Sequence, residues 1–350
     1  MSKKIILCFD GTWNTPDTGS DIEEGESTNV WRLYQSIAAQ SKDGTVQHKW
    51  YDEGVGTQWF DKLKGGIFGV GLSDNIKQGY KELIERYEAG DQVYLLGFSR
   101  GAYTARSLVG LIRNSGLLLA KHKSRINEAY SLYRNRDKSA DTEAAKLFRA
   151  TYARTIDIHF LGVWDTVGAL GIPLESFSWF NKSYYEFHDT ELSGIVKNAF
   201  QALAVDEWRE NYACTMWAPK HKPTQTIEQV WFSGAHANIG GGYRQDRLSD
   251  LALIWMMEKA TACGLKLDTQ KVPKAPSPLL PLKNSYKEFL GGSYSKLVQP
   301  YYRTIGATEN GQEKIASTVK QRLEADPDYR PANKVGPFLN GDFRPMVRMY

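Results

Sequence analysis

The sequence predicts an α/β fold, a mostly parallel sheet with helices on both faces. Three observations predict it. Short apolar runs alternate along the chain with stretches of helical periodicity. One run, residues 93–98, is almost continuously apolar, as a strand covered on both faces should be. Helical spacing then begins at Arg100 with no gap, the step from strand to helix that a parallel crossover needs.

Taken in order, residues 5–9 form the first strand, bounded by Lys4 and Asp10. Val30, Leu33, Tyr34, Ile37 and Ala38 recur at helical spacing, with Asn29 as the expected N-cap. Residues 48–51 make a weaker strand. Residues 73–87 make a helix whose Ile76, Tyr80, Leu83, Ile84 and Tyr87 share a face and which Gly90 closes. The strand 93–98 and the helix 100–113 follow. Residues 156–163 are a strand with Asp165 just past its end, and residues 193–212 carry a helical pattern through Ile195, Ala199, Ala202 and Leu203. Residues 230–232 are a strand, and 249–263 a helix with Ser249 as N-cap. Three stretches do not fit the sheet. Residues 57–71 and 166–190, rich in aromatics, read as cap loops over a pocket, and from Lys271 onward prolines break the periodicity. The expected organisation is one α/β domain over 1–265 and an irregular C-terminal extension over 266–350 packed on it.

Composition narrows the function. A net charge of +4 over 350 residues is too weak to point to nucleic acid. Three cysteines, Cys8, Cys214 and Cys263, make neither a disulfide framework nor a C-x-x-C zinc site, which suits a reducing compartment. The apolar run after Lys4 is too short for a signal-peptide core, and no stretch approaches the ~20 apolar residues of a membrane span. A cytoplasmic protein is expected, with export only by a route that needs no signal peptide. Contact with a membrane surface would be transient.

Gly97-Phe98-Ser99-Arg100-Gly101 is a G-x-S-x-G pattern. The expression alone is weak, but here a buried strand precedes it and a helix follows at once. That context puts Ser99 on a strained turn at the C-terminal edge of the sheet, as a nucleophile requires. Serine needs a base. Of six histidines, His236 is best placed, following the last sheet strand and opening a glycine-rich loop. Asp165 ends a strand at the same edge and is the first choice for the carboxylate that orients the imidazole, with Asp206 the alternative. The order Ser99, Asp165, His236 is the α/β-hydrolase order. Arg100, the residue after the nucleophile, should give one oxyanion N–H, and Gly11 or Thr12 a second. Asp10 lies near that oxyanion and would need neutralising, with Arg100 as a partner.

At these residues the chain resembles a known family. Cys8 to Asn14, Gly97 to Arg106, Gly162 to Gly168, Ala202 to Glu207 and Trp231 to Tyr243 are similar to signature blocks of the uncharacterised α/β-hydrolase domain family that includes the type VI secretion phospholipase effectors. The resemblance implies a serine esterase or lipase with Ser99 as nucleophile, His236 as base and Asp165 as acid. It implies lipid acyl esters, phospholipids among them, as substrates, and no cofactor. This chain departs from the family at Asn238, where relatives often carry an aspartate.

Other readings compete. A haloacid-type phosphatase would need an aspartate where Cys8 stands, and Gly240-Gly241-Gly242 lacks the spacing of a P-loop. A metal-assisted hydrolase could be built on Asp10, Asp165 and His236. A non-catalytic interaction protein would use its ten tryptophans and nineteen tyrosines to line a binding surface. On the hydrolase reading, Asp165→Asn should cost rate but little stability.

Overall fold

Among the described residues, seven parallel strands form one sheet, in the order β2-β1-β3-β6-β7-β8-β9 by the ranges that follow. They are β1 (Lys4–Phe9), β2 (Gln47–Asp52), β3 (Gln92–Phe98), β6 (Ile158–Trp164), β7 (Val196–Ala204), β8 (Thr226–Phe232) and β9 (Glu313–Ile315), while β4 (Leu117–Leu118) and β5 (Ala153–Arg154) pair apart from it. The computed structural model describes residues 2–11, 27–54, 68–135, 140–167, 192–217, 223–243, 247–308, 313–333 and 335, with backbone alone at 68–70 and 290. The helices used below are α1 (Asn29–Ser36), α2 (Phe68–Arg86), α3 (Arg100–Ser115), α4 (Ile126–Arg134), α5 (Glu143–Tyr152), α6 (His236–Gly240), α7 (Ser249–Ala262), α8 (Ser285–Glu288), α9 (Tyr294–Leu297) and α10 (Ser317–Ala325).

The two-residue period of a strand explains the two helical layers. On β1, Ile6 and Cys8 face Val30 and Leu33 of α1 and the apolar residues of α7. Ile5, Leu7 and Phe9 face the opposite side, with Ile76, Tyr80 and Leu83 of α2 and Leu108 and Leu111 of α3. Both faces are covered, so the central strands are apolar throughout. This is the α/β architecture expected from the sequence, and its arrangement is α/β-hydrolase-like.

Four local expectations are corrected, one of them the cap of α7: Ser249 is its first helical residue, Leu248 stands at the cap position, and no side-chain cap hydrogen bond forms there. The stretch 193–212 is not a helix: residues 196–204 form β7, paired in parallel with β6 and β8. Its alanines mimic a helical stripe, but a central sheet position with both faces buried overrides intrinsic propensity. Helix α2 starts at Phe68, so residues 68–71 are helical while 57–67 lie outside the described residues. Of the second cap loop, only Thr166 and Val167 are described, and Val167 bridges to Cys214. Finally, Thr28 rather than Asn29 caps α1, accepting from the Trp31 amide. Asn29 instead ties α1 to its neighbours, donating to the carbonyls of Ile239 and Ser249.

The C-terminal segment returns to the sheet. β9 pairs with β8, and the Trp231 indole N–H donates to Glu313 (2.8 Å) to fix that pairing.

Candidate active site

Ser99 sits between the end of β3 and the start of α3, with φ 56° and ψ −119°. Among the described residues, only Ser99 and Asp165 adopt positive φ without being glycine. Each such residue costs about 1–3 kcal/mol, held in place by what surrounds it. The flanking glycines make the turn possible. A Cβ on Gly97 would lie 2.5 Å from the Gly101 carbonyl oxygen, and one on Gly101 would lie 2.0 Å from the Phe9 carbonyl oxygen. The helix can therefore leave the strand at once only because both positions lack side chains.

β3 and β6 are in register at Phe98 and Trp164. Ser99 and Asp165 are thus the first residues beyond two neighbouring strands. The Ser99 amide donates to the Trp164 carbonyl (3.1 Å), holding the two ends together. His236 opens α6, just after β8, and its Nδ1 lies 2.5 Å from Asp165 Oδ2. Its ring packs on Phe98, centroids 4.6 Å apart, and on Tyr212 at 4.9 Å. Gly240 allows this: a Cβ there would fall 2.0 Å from the Phe98 ring. The structure therefore brings His236 onto Asp165 and against the residue preceding Ser99. All three are buried.

Two residues of this site were not anticipated. Arg303, from the aperiodic segment, grips both oxygens of Asp165, Nη1 to Oδ1 at 2.6 Å and Nη2 to Oδ2 at 2.9 Å. Its remaining hydrogen bonds go to the carbonyls of Ala204 (2.9 Å) and Tyr212 (2.6 Å). Glu207 is fully buried, holds Arg209 through Nε (2.8 Å) and Nη2 (2.9 Å), and accepts from the His236 amide (3.2 Å) and the Ser285 hydroxyl (3.0 Å). Burial alone would raise both carboxyls. Arg303 and His236 outweigh it at Asp165 and hold that group far below the usual carboxylate range. Arg209 does the same at Glu207, bringing it to about 2. For His236 burial is the largest influence and lowers the imidazole, against the pull of Asp165.

The other expected residues fall as follows. Asp206 does not reach His236. It accepts from the Gly234 amide (2.7 Å) and the Tyr329 hydroxyl (3.0 Å), which fixes the turn ahead of the histidine, and burial pushes it up to about 6. Arg209 pairs with Glu207, not with Asp206. Asn238 accepts from the Ala235 amide (2.9 Å) and so caps α6. Asp10 takes its donors from Thr28 (2.5 Å), Tyr51 (2.6 Å) and the Gly11 amide (2.7 Å), and Arg100 is not among them. Burial still pushes Asp10 up to about 6 and the Arg100 guanidinium down to about 10. Gly11, expected as an oxyanion donor, gives its N–H to Asp10 and is occupied there. Thr12 lies outside the described residues. Arg100 is the first residue of α3, where a backbone N–H has no acceptor within the helix. No group of three His, Cys, Asp or Glu side chains able to hold a metal occurs among the described residues. None of the described helices is long and apolar enough to cross a membrane.

A parallel sheet with a serine at a strained strand-to-helix turn, and an aspartate–histidine pair on the same edge, defines an α/β-hydrolase-like protein. Residues 3–259 match the model of the family described as T6SS, phospholipase effector Tle1-like, catalytic domain. The chain belongs to that family. It is also similar to the uncharacterized protein YEL023C of Saccharomyces cerevisiae, 25% identical over 366 residues that cover 93% of this chain and 51% of the yeast protein. Two solved structures are similar. One is a Tle1 effector bound to the VgrG spike of the type 6 secretion system, with TM-score 0.43, 22% identity and coverage of 71% of this chain and 52% of the other. The second is an uncharacterized protein from Pseudomonas aeruginosa, with TM-score 0.46, 20% identity and coverage of 79% and 48%. This chain spans about half the length of each of these relatives.

Proposed function

We propose that the protein is a serine hydrolase of lipid acyl esters, phospholipids among them. The observation that carries this reading is the 2.5 Å contact of His236 Nδ1 with a buried Asp165, beside the strained turn that holds Ser99. The family match supports the substrate class. In the mechanism, Ser99 Oγ attacks the ester carbonyl while His236 Nε2 takes its proton. The tetrahedral intermediate collapses, the bond to the alcohol breaks, and His236 returns the proton to the departing oxygen. Water then attacks the acyl–Ser99 ester with His236 again as base, releasing the acid and restoring the hydroxyl. Asp165 accepts from Nδ1–H throughout and stabilises the imidazolium. The Arg100 N–H meets the developing oxyanion, with Thr12 as the second donor. Exposure to lipid is brief and superficial on this reading.

The test is a fluorophosphonate probe, followed by p-nitrophenyl esters and phospholipid vesicles. Wild type is expected to label and turn over ester, while Ser99→Ala takes no label and loses about 10⁴-fold or more in kcat. If neither protein labels and neither turns over ester, the fold serves binding instead.

The protonation of His236 adds a second expectation. A group whose ionisation is lowered on folding stays neutral, and costs no stability, above its unfolded midpoint near 6.5. Stability is lost only as pH falls below that. A base of this kind keeps working in mild acid, so the acid limb of kcat/KM should have its midpoint below pH 6.5. A midpoint above about 7 contradicts this.

A further inference from the structure

The acid of the site is held by a residue that lies beyond the family match, which ends at residue 259. We infer that Arg303 is a positioning residue which, by taking both oxygens of Asp165, shares that carboxylate's charge with His236 and so sets the basicity of the imidazole. The inference rests on the proposed roles of Asp165 and His236, and its test does not depend on turnover.

The geometry is specific. A planar guanidinium meets a carboxylate edge to edge, at 2.6 and 2.9 Å, and its two terminal nitrogens also reach the carbonyls of Ala204 and Tyr212. Both side chains are buried, at 1% and 0% exposure, so water screens the pair little. An aspartate alone beside a histidine pulls the imidazole towards its charged form. An aspartate already neutralised by arginine pulls less. Among the described residues, these charged and titratable groups face His236. From the end of β6 comes Asp165, and from the segment after β7 come Glu207, Arg209 and Tyr212. Glu207 is itself balanced by Arg209. Ser99 and Arg100 stand at the start of α3, and Arg303 arrives from the C-terminal segment. Among the described residues, each of the two carboxylates beside the ring is paired with an arginine, Asp165 with Arg303 and Glu207 with Arg209, so neither pair brings much net charge to the imidazole. Removing Arg303 unbalances its pair in favour of the imidazolium.

The experiment is an NMR titration of the His236 ring in the full chain carrying Ser99→Ala, with and without Arg303→Gln or Arg303→Lys. Wild-type Arg303 should give a His236 midpoint below 6.5. Arg303→Gln should raise it by about one pH unit or more, because the opposite charge of Asp165 is then uncompensated. Arg303→Lys keeps the charge and should leave the midpoint near that of the parent. An unmoved midpoint in a folded Arg303→Gln protein overturns the inference, and so does an equal rise in both variants. If Arg303→Gln does not fold, the parent and Arg303→Lys decide. Midpoints below 6.5 in both support the inference, and a parent midpoint above about 7 overturns it. Absence of esterase activity with the expected shifts would defeat the hydrolase reading alone. Turnover that depends on Ser99, without the shifts, would defeat this inference alone.

Discussion

Asp165→Asn is expected to lower kcat by about 10⁴-fold and also to destabilise the fold by about 3 kcal/mol. The rate loss follows from the imidazole: an amide does not fix the required tautomer or stabilise the imidazolium. The stability loss follows from Arg303. Its guanidinium is 1% exposed and spends two hydrogen bonds on Asp165. Asparagine leaves that charge buried without its counter-ion, and removing one partner of a buried pair is costly. The sequence alone anticipates a rate effect with little loss of fold, because nothing in it places an arginine at Asp165. Urea unfolding beside single-turnover kinetics measures the two effects separately. An unchanged midpoint of unfolding would contradict the predicted loss of stability.

Gly101→Ala is expected to cost about 3 kcal/mol or more and to abolish activity in whatever fraction folds. The added Cβ would approach the backbone carbonyl of Phe9 to 2.0 Å and that of Asp10 to 2.8 Å. Backbone of a central strand cannot swing aside as a side-chain tip can. Relief must come from moving α3 away from β1, and that drags the Ser99 turn with it. Gly90→Ala is the control. It has φ +96° and nothing within 4 Å of the new Cβ, so only conformational strain of about 1 kcal/mol is expected. Thermal unfolding of both variants separates packing from strain.

The central features of the site were legible because they are local. Strand, turn and helix follow one another without a gap around Ser99, and Asp165 and His236 each close an apolar run. In a parallel sheet such ends share one edge, so sequence order alone gathers them. Arg303 was hidden for the opposite reason. It pairs with Asp165 across 138 residues and comes from a stretch with no periodicity, where a lone arginine reads as solvated. Glu207 stands next to Asp206, the alternative acid, in a stretch whose spacing reads as helical, so nothing in the sequence singled it out as the buried partner. Which of them turns inward depends on the backbone after β7, and that strand was itself masked by its alanines. Gly11 shows a different limit: whether its N–H is available depends on the side chain one residue before it.

Among the described residues, the two with positive φ that are not glycine, Ser99 and Asp165, are both on the rim where the chemistry is proposed. Laboratory evolution towards heat tolerance would therefore press on that rim first. Glycine at position 99 relaxes the backbone and removes the hydroxyl in a single step. Selection for survival at high temperature, without a simultaneous demand for turnover, should enrich inert variants.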